Sequence, residues 1–308
     1  MASKDPSPLK DLITANHILH HHGIVDAYGH ISLRNPNNRH TFFLSHSVAP
    51  ALVSSAADIV EYNVEDASPV KKDVAEGYRE RYIHSEIMKK YPGVNSVVHS
   101  HSEAVLPYTI SGVEMKPCFH MAGFLGPHVP TFDIATHYTR TSTRDVLVST
   151  TDLGAALASQ FAKTDSYVAR VGAAGAAGAA LASTFLSKEN DASSGPEPQP
   201  DHTVLLMRGH GFTAIGSNVQ EAVFRAVYTQ QNAGVQTTAM MLRNAQMGAV
   251  ERGKGREERE KGVQDEGVRW LGDAELGDCR EFGRITMGRP WGLWAREVEA
   301  VGLYVNEA

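Results

Sequence analysis

Apolar and polar positions follow two rhythms along this chain, one of period near four and one of period two. Leu9, Leu12, Ile13 and Leu19 form the first apolar stripe and predict a helix over about 9–22. Gly23 supplies the stop, because glycine accepts the left-handed conformation that follows many helices. His20, His21 and His22 fall at that end, where the negative pole of the helix dipole suits solvated imidazoles. Short strand-like runs follow at 30–33, 41–44 and 59–63, separated by Asn and Pro turns. Ile83, Ile87 and Tyr91, spaced by four, predict a helix over about 77–91 that Pro92 and Gly93 end. Residues 94–101 read as a buried strand through Val97 and Val98. Another strand, 203–207, enters Arg208-Gly209-His210-Gly211, and Asn218 with Glu221 resembles a capping box that opens a long helix. Strands interleaved with long helices predict a mixed α/β or three-layer α-β-α domain.

Two stretches break the rhythm. Residues 164–200 hold an Ala/Gly run and then a Pro-, Ser- and acid-rich segment, which reads as a low-complexity insertion. The Ala/Gly part, 171–182, is too short for a membrane span, and its glycines recur every three residues. Residues 251–266 are a solvated charge run. The expected organisation is therefore one domain over 8–245 and a charged linker with a C-terminal tail over 246–308. Trp291, Trp294 and Val298 in that tail are expected to pack on the body or on a neighbouring subunit.

Composition narrows the function classes. A net charge of −6 leaves no electrostatic footprint for nucleic acid or an anionic membrane, so a small-molecule partner is expected. Cys118 and Cys279 are far apart and outside any CxxC pattern, as free thiols in a reducing compartment would be. The first twelve residues lack the apolar core of a signal peptide, so a cytoplasmic location is the expectation.

The densest chemistry is His99-Ser100-His101. Residues i and i+2 of a strand project from one face, so the two imidazoles can converge on one ion; the plain alternative is a polar pocket lined by two histidines. His210, between two glycines after a strand, can complete a facial set or can be a turn histidine. Glu80, at the start of the helix leading to His99, can approach a metal or shuttle protons beside it; a carboxylate there also suits the helix dipole.

The stretch ERYIHSEIMKKYPGVNSVVHSHSEAV, followed later by LLMRGHGFTAIGSNVQEAVFRAVYTQQNA, resembles the class II aldolase/adducin family. AYGHISLRNP and FFLSHSVAP are similar to substrate-side loops of the same family, and the resemblance spans roughly 8–163 and 201–245. It implies a three-layer α-β-α fold with a central, mostly antiparallel sheet, and a homotetramer with sites near subunit boundaries. It also implies one divalent metal ion per subunit on His99, His101 and His210, with Glu80 as acid/base. Zinc is the first expectation for that ion; iron, manganese and cobalt suit the same ligands. The metal ligands favour an enzyme over a non-catalytic adducin-like interaction module.

Departures from the family pattern refine the chemistry. Sugar-phosphate aldolases carry GNxS where this chain has Gly29-His30-Ile31-Ser32, and paired serines where it has Gly77-Tyr78-Arg79. Both elements help hold a phosphate. The GHIS loop, SHSVAP and CFHMAGFLG resemble instead the branch that includes decarboxylases of dihydroxylated aromatic acids. The expected activity is a metal-dependent carbon–carbon lyase, decarboxylating a hydroxylated aromatic or unsaturated acid; aldol cleavage or dehydration of a small hydroxy-carbonyl compound is the alternative. His30, Ser45, His46 and Arg208 are candidate contacts for a substrate carboxylate, each with a structural role as the alternative. Tyr228 can reach a neighbouring site or pack in the core.

Overall fold

The computed structural model describes residues 8–162, 197–253 and 267–308. Helix α1 (Pro8–His21) leads into an antiparallel meander of β1 (His30–Arg34), β2 (Thr41–Ser45) and β3 (Ile59–Asn63). Helix α2 (Arg81–Lys90) precedes β4 (Ser96–Ser100); the short α3 (Leu106–Ile110), β5 (Thr131–Phe132) and α4 (Thr151–Ser159) follow. The hairpin of β6 (Val204–Met207) and β7 (Gly211–Gly216) feeds a long helix, α5 (Val219–Gly253), and α6 (Asp273–Thr286) and α7 (Gly288–Glu299) complete the described chain.

The strands form one sheet in the order β3-β2-β1-β4-β7-β6-β5, antiparallel throughout except for the β5–β6 pair. This is the expected mostly antiparallel α/β architecture. Alternation along the strands builds the layers, since successive side chains leave opposite faces. Ile31, Val98, Phe212 and Ala214 meet α1, α5 and α7 through Leu12, Ile18, Val223, Val227, Trp294 and Val298. Val97, Leu44, Leu205 and Ile215 meet α2 and α4 through Ile83, Ile87 and Leu157. Each such aliphatic side chain, fully buried, contributes on the order of 2 kcal/mol by leaving water.

Three local departures from the sequence pattern bear on the site. Helix α2 starts at Arg81 and not near 77, because the preceding backbone is tied elsewhere: Gly77 bridges to His46, and the Tyr78 hydroxyl donates to the Val48 carbonyl. Strand β4 ends at Ser100, so His101 lies just beyond the ladder. Asn218 Oδ1 accepts the Glu221 N–H at 2.8 Å as a cap should, but the Glu221 carboxylate returns to the Ser217 N–H at 2.7 Å.

The stretch expected to be a linker and tail contains the end of α5 and the helices α6 and α7. Trp294 and Val298 are buried in the core, against α1 and α5. Of the insertion expected at 164–200, all but its last four residues lie outside the described residues, as does most of the charge run. Among the described residues, no helix is long and apolar enough to cross a membrane.

Candidate metal centre

Sheet register builds the site. His99 of β4 stands opposite His30 of β1 and Thr213 of β7, and shares the face of Val97, toward α2. His210 occupies the turn between β6 and β7. Gly211 has φ of 144°, and a Cβ there would lie 2.0 Å from the Ser100 carbonyl oxygen. Only glycine lets β7 pass the end of β4 that closely, and the close passage is what brings His210 beside His99. Glu80, the residue before the first turn of α2, makes no side-chain cap. Its Oε1 accepts the Val148 N–H at 2.9 Å, leaving Oε2 toward the imidazoles. The turn that presents that N–H includes Val146 at φ 58°, an uncommon conformation for a β-branched residue and a mark of local strain.

The four side chains converge. Glu80 Oε2 lies 3.5 Å from His99 Nε2 and 3.4 Å from His210 Nε2, and the Nε2 atoms of His99 and His101 are 3.0 Å apart. One ligand atom from each residue falls within 4.8 Å of all the others. A tetrahedral ion with bonds of about 2.1 Å has ligand atoms about 3.4 Å apart, so the set fits a divalent metal. His99 is fully buried, and its Nε2 is the nitrogen turned toward Glu80 and His101; its Nδ1 makes no hydrogen bond among the described residues.

Electrostatics support the same reading. Burial pushes the Glu80 carboxyl up, but His99 and His210 outweigh burial and hold it well below the usual carboxylate range. Burial disfavours a charged His210, yet the Glu80 carboxylate reverses the balance and raises it. Burial, helped by the neighbouring imidazoles, pulls His101 down to about 4, keeping it neutral as a ligand must be. The Asp26 carboxylate, fixed by the Tyr28 and Gly29 N–H groups, sits 3.5 Å from His101 Nδ1 and can orient the ring. A cavity of about 540 Å³ opens beside His101, lined also by Asp26, Ser102, Glu103 and Gln230.

A second set of groups backs the first. His30 is buried, its ring 5.1 Å from that of His99 and 4.5 Å from that of Tyr78. His30 Nδ1 is 2.7 Å from His84 Nε2, and His84 Nδ1 is 2.6 Å from Ser32 Oγ. The sequence reading missed the roles of His84 and Ser32: Ser32 entered only as the last residue of the GHIS loop, and the one signal for His84 is its spacing of four from Glu80, the residue that precedes α2.

The other sequence candidates divide. Ser45 is buried, has no well-formed hydrogen bond among the described residues, lies near the Tyr78 hydroxyl, and so borders the His30 side of the site. His46 is partly exposed and lies 3.5 Å from Asp58. Arg208 neighbours His210 in sequence, but its guanidinium is engaged by Asp133 at 2.6 Å. Tyr228 packs in the opposite layer against Phe119, Phe224 and Trp294, which is the core role.

Comparison with known proteins agrees with this geometry. Residues 10–237 match the family described as Class II Aldolase and Adducin N-terminal domain. The chain is 44% identical over 301 residues to a protein named decarboxylase tropJ from Talaromyces stipitatus, covering 98% of this chain and 97% of that one. It is also 24% identical to a 3,4-dihydroxyphthalate decarboxylase from Arthrobacter keyseri, over 71% of this chain and 73% of that protein. Among solved structures, an aldolase II superfamily protein from Pseudomonas syringae superposes with a TM-score of 0.61 at 16% identity, covering 99% and 96% of the two chains. An L-fuculose 1-phosphate aldolase from Glaciozyma antarctica PI12 gives 0.57 at 16% identity, covering 97% and 94%. The chain therefore belongs to the class II aldolase and adducin family, on the side of its decarboxylase-like members. The family and the names of these relatives support a lyase.

Proposed function

We propose that this protein is a metal-dependent decarboxylase of a hydroxylated aromatic or unsaturated carboxylic acid. The observation that carries the proposal is the convergence of Glu80, His99, His101 and His210 on one point. The decarboxylase names of the similar proteins support the choice of reaction within the family. His99, His101 and His210 would hold one divalent ion, zinc first among those the set suits. When bound, that ion supplies the positive charge that stabilises an enolate or phenolate oxygen, an effect worth several kcal/mol.

The chain's own residues perform the proton steps. Glu80 rests ionised, so it takes a proton from a substrate hydroxyl on binding. It then delivers that proton to the carbon bearing the carboxylate. The bond to that carboxylate breaks, its electron pair returns to the ring oxygen, and carbon dioxide leaves. The oxygen regains a proton from water, so the net reaction consumes one proton. The Val148 N–H keeps Glu80 aimed between the two positions. Buried His30 offers a polar edge for the carboxylate in surroundings that otherwise exclude water. We further propose a cytoplasmic homotetramer, with residues 8–245 as the catalytic domain and α7 of the later chain packed into its core. Ser45, His46 and Arg208 stay secondary candidates for substrate contact, Ser45 first because it borders His30; Tyr228, packed in the opposite layer, could serve only a neighbouring subunit's site.

The test is a panel of dihydroxybenzoic and dihydroxyphthalic acids, set beside hydroxy-carbonyl aldols. The proposal expects carbon dioxide release that a chelator abolishes and a divalent salt restores. Aldehyde release from the aldols without carbon dioxide from the acids would instead establish aldol cleavage.

A further inference from the structure

The buried series Ser32–His84–His30 has only one proton arrangement that keeps both of its hydrogen bonds and gives the buried Ser32 hydroxyl proton an acceptor. Ser32 Oγ is buried, and His84 Nδ1, 2.6 Å away, is its one hydrogen-bond partner among the described residues. A buried hydroxyl proton without an acceptor costs about 1–3 kcal/mol, and orphaned donors are rarer than orphaned acceptors. Ser32 therefore donates to His84 Nδ1. An imidazole that accepts at Nδ1 carries its proton on Nε2, so His84 Nε2–H donates to His30 Nδ1 across 2.7 Å. His30, accepting at Nδ1, must in turn hold its own proton on Nε2. That nitrogen makes no hydrogen bond among the described residues, and the His30 ring lies 5.1 Å from that of His99.

We infer that Ser32 and His84 are positioning residues that lock His30 in its Nε2–H tautomer, making His30 a donor to an anionic substrate oxygen and not a base. The alternation of β1 explains how the device is assembled. His30 and Ser32, two residues apart, leave the same face of the sheet, and His84 of α2 spans the gap between them. The full burial of His84 pulls it down to about 3, so it stays a neutral link in the series. The proton arrangement stands without any assumption about the reaction; only the identity of the oxygen that His30 meets rests on the decarboxylase reading. On that reading the oxygen belongs to the substrate carboxylate.

Neutron diffraction from crystals of the whole protein grown in heavy water reads the arrangement directly. The expected map shows deuterium on Ser32 Oγ toward His84, on His84 Nε2 and on His30 Nε2; deuterium on His30 Nδ1 overturns the inference. Kinetics test the consequence. His84→Leu removes the donor to His30 and is expected to lower turnover roughly 10- to 100-fold at unchanged metal content, as losses of supporting hydrogen bonds typically do. His84→Gln, whose carboxamide can accept from Ser32 and donate to His30, is expected to recover most of that loss. Wild-type turnover in His84→Leu also overturns the positioning role. If the wild type decarboxylates nothing in the acid panel, the functional reading fails, while the deuterium positions still decide the inference.

Discussion

At Glu80, burial and charge act in opposite directions and charge prevails, because two imidazoles face the same carboxylate oxygen. The consequence is an ionised carboxylate, which in the proposed mechanism accepts its proton from substrate before giving it back. Glu80→Gln keeps the shape and an oxygen for the Val148 N–H but removes the exchangeable proton. Turnover is expected to fall roughly 10²- to 10⁴-fold, with the thermal midpoint nearly unchanged, when both are measured on the same preparation. His84 yields a prediction of another kind. It binds its proton at about 3 in the folded protein, against 6.5 for an ordinary histidine. The unfolded chain therefore takes up a proton that the native state refuses. The stability this represents is fully present above about pH 6.5 and is lost as pH falls toward 3, at about 1.4 kcal/mol per pH unit. Urea midpoints of the metal-free protein should fall between pH 7 and pH 5, and His84→Gln should flatten that dependence. The candidate ligands were legible in the sequence because HxH and the glycine-flanked His210 carry local marks. The roles of His84, Ser32, Asp26 and the Val148 N–H were not, since sheet register and a distant turn bring them to the site.

Among the elements, the β6–β7 hairpin positions the third histidine, and its two glycines are not equivalent. At Gly211 a Cβ meets the Ser100 carbonyl oxygen at 2.0 Å, whereas at Gly209, φ 66°, nothing lies within 4 Å. Gly209→Ala is expected to cost about 1–2 kcal/mol, the conformational penalty alone. Gly211→Ala is expected to cost more than 4 kcal/mol, or to part β7 from β4 and weaken metal binding, because backbone meets backbone there. Chemical denaturation of the two variants, compared with the wild type, checks the difference. Strand β3 could be read from its flanking turns and its Ile, Val and Tyr content, and it falls at 59–63 as expected. The late start of α2 could not be, because the ties that hold Gly77 and Tyr78 come from the loop after β2. That delay is what leaves Glu80 outside the first helical turn and free to face the histidines.

The molecule as a whole is a sheet between two helical layers, with the site at the strand ends where β1, β4 and the β6–β7 turn meet. The order of the strands was not available from hydrophobic pattern, which is the same for any neighbour; the family resemblance implied only a mostly antiparallel sheet, and the structure supplies the order. The chain beyond residue 245 was the least legible part, because α6 and α7 are amphipathic and their charged faces resemble a linker. Trp294 and Val298 of α7 nonetheless complete the core against α1. All of this framework serves one claim, that three histidines bind a divalent ion required for turnover. Metal analysis of the purified protein and of its His99→Ala variant, run beside carbon dioxide release, tests it most directly. A metal-dependent lyase predicts about one divalent ion per chain in the wild type and a small fraction of that in the variant, with activity falling in parallel. Full carbon dioxide release from His99→Ala, or from wild-type protein stripped of metal by a chelator, would contradict it.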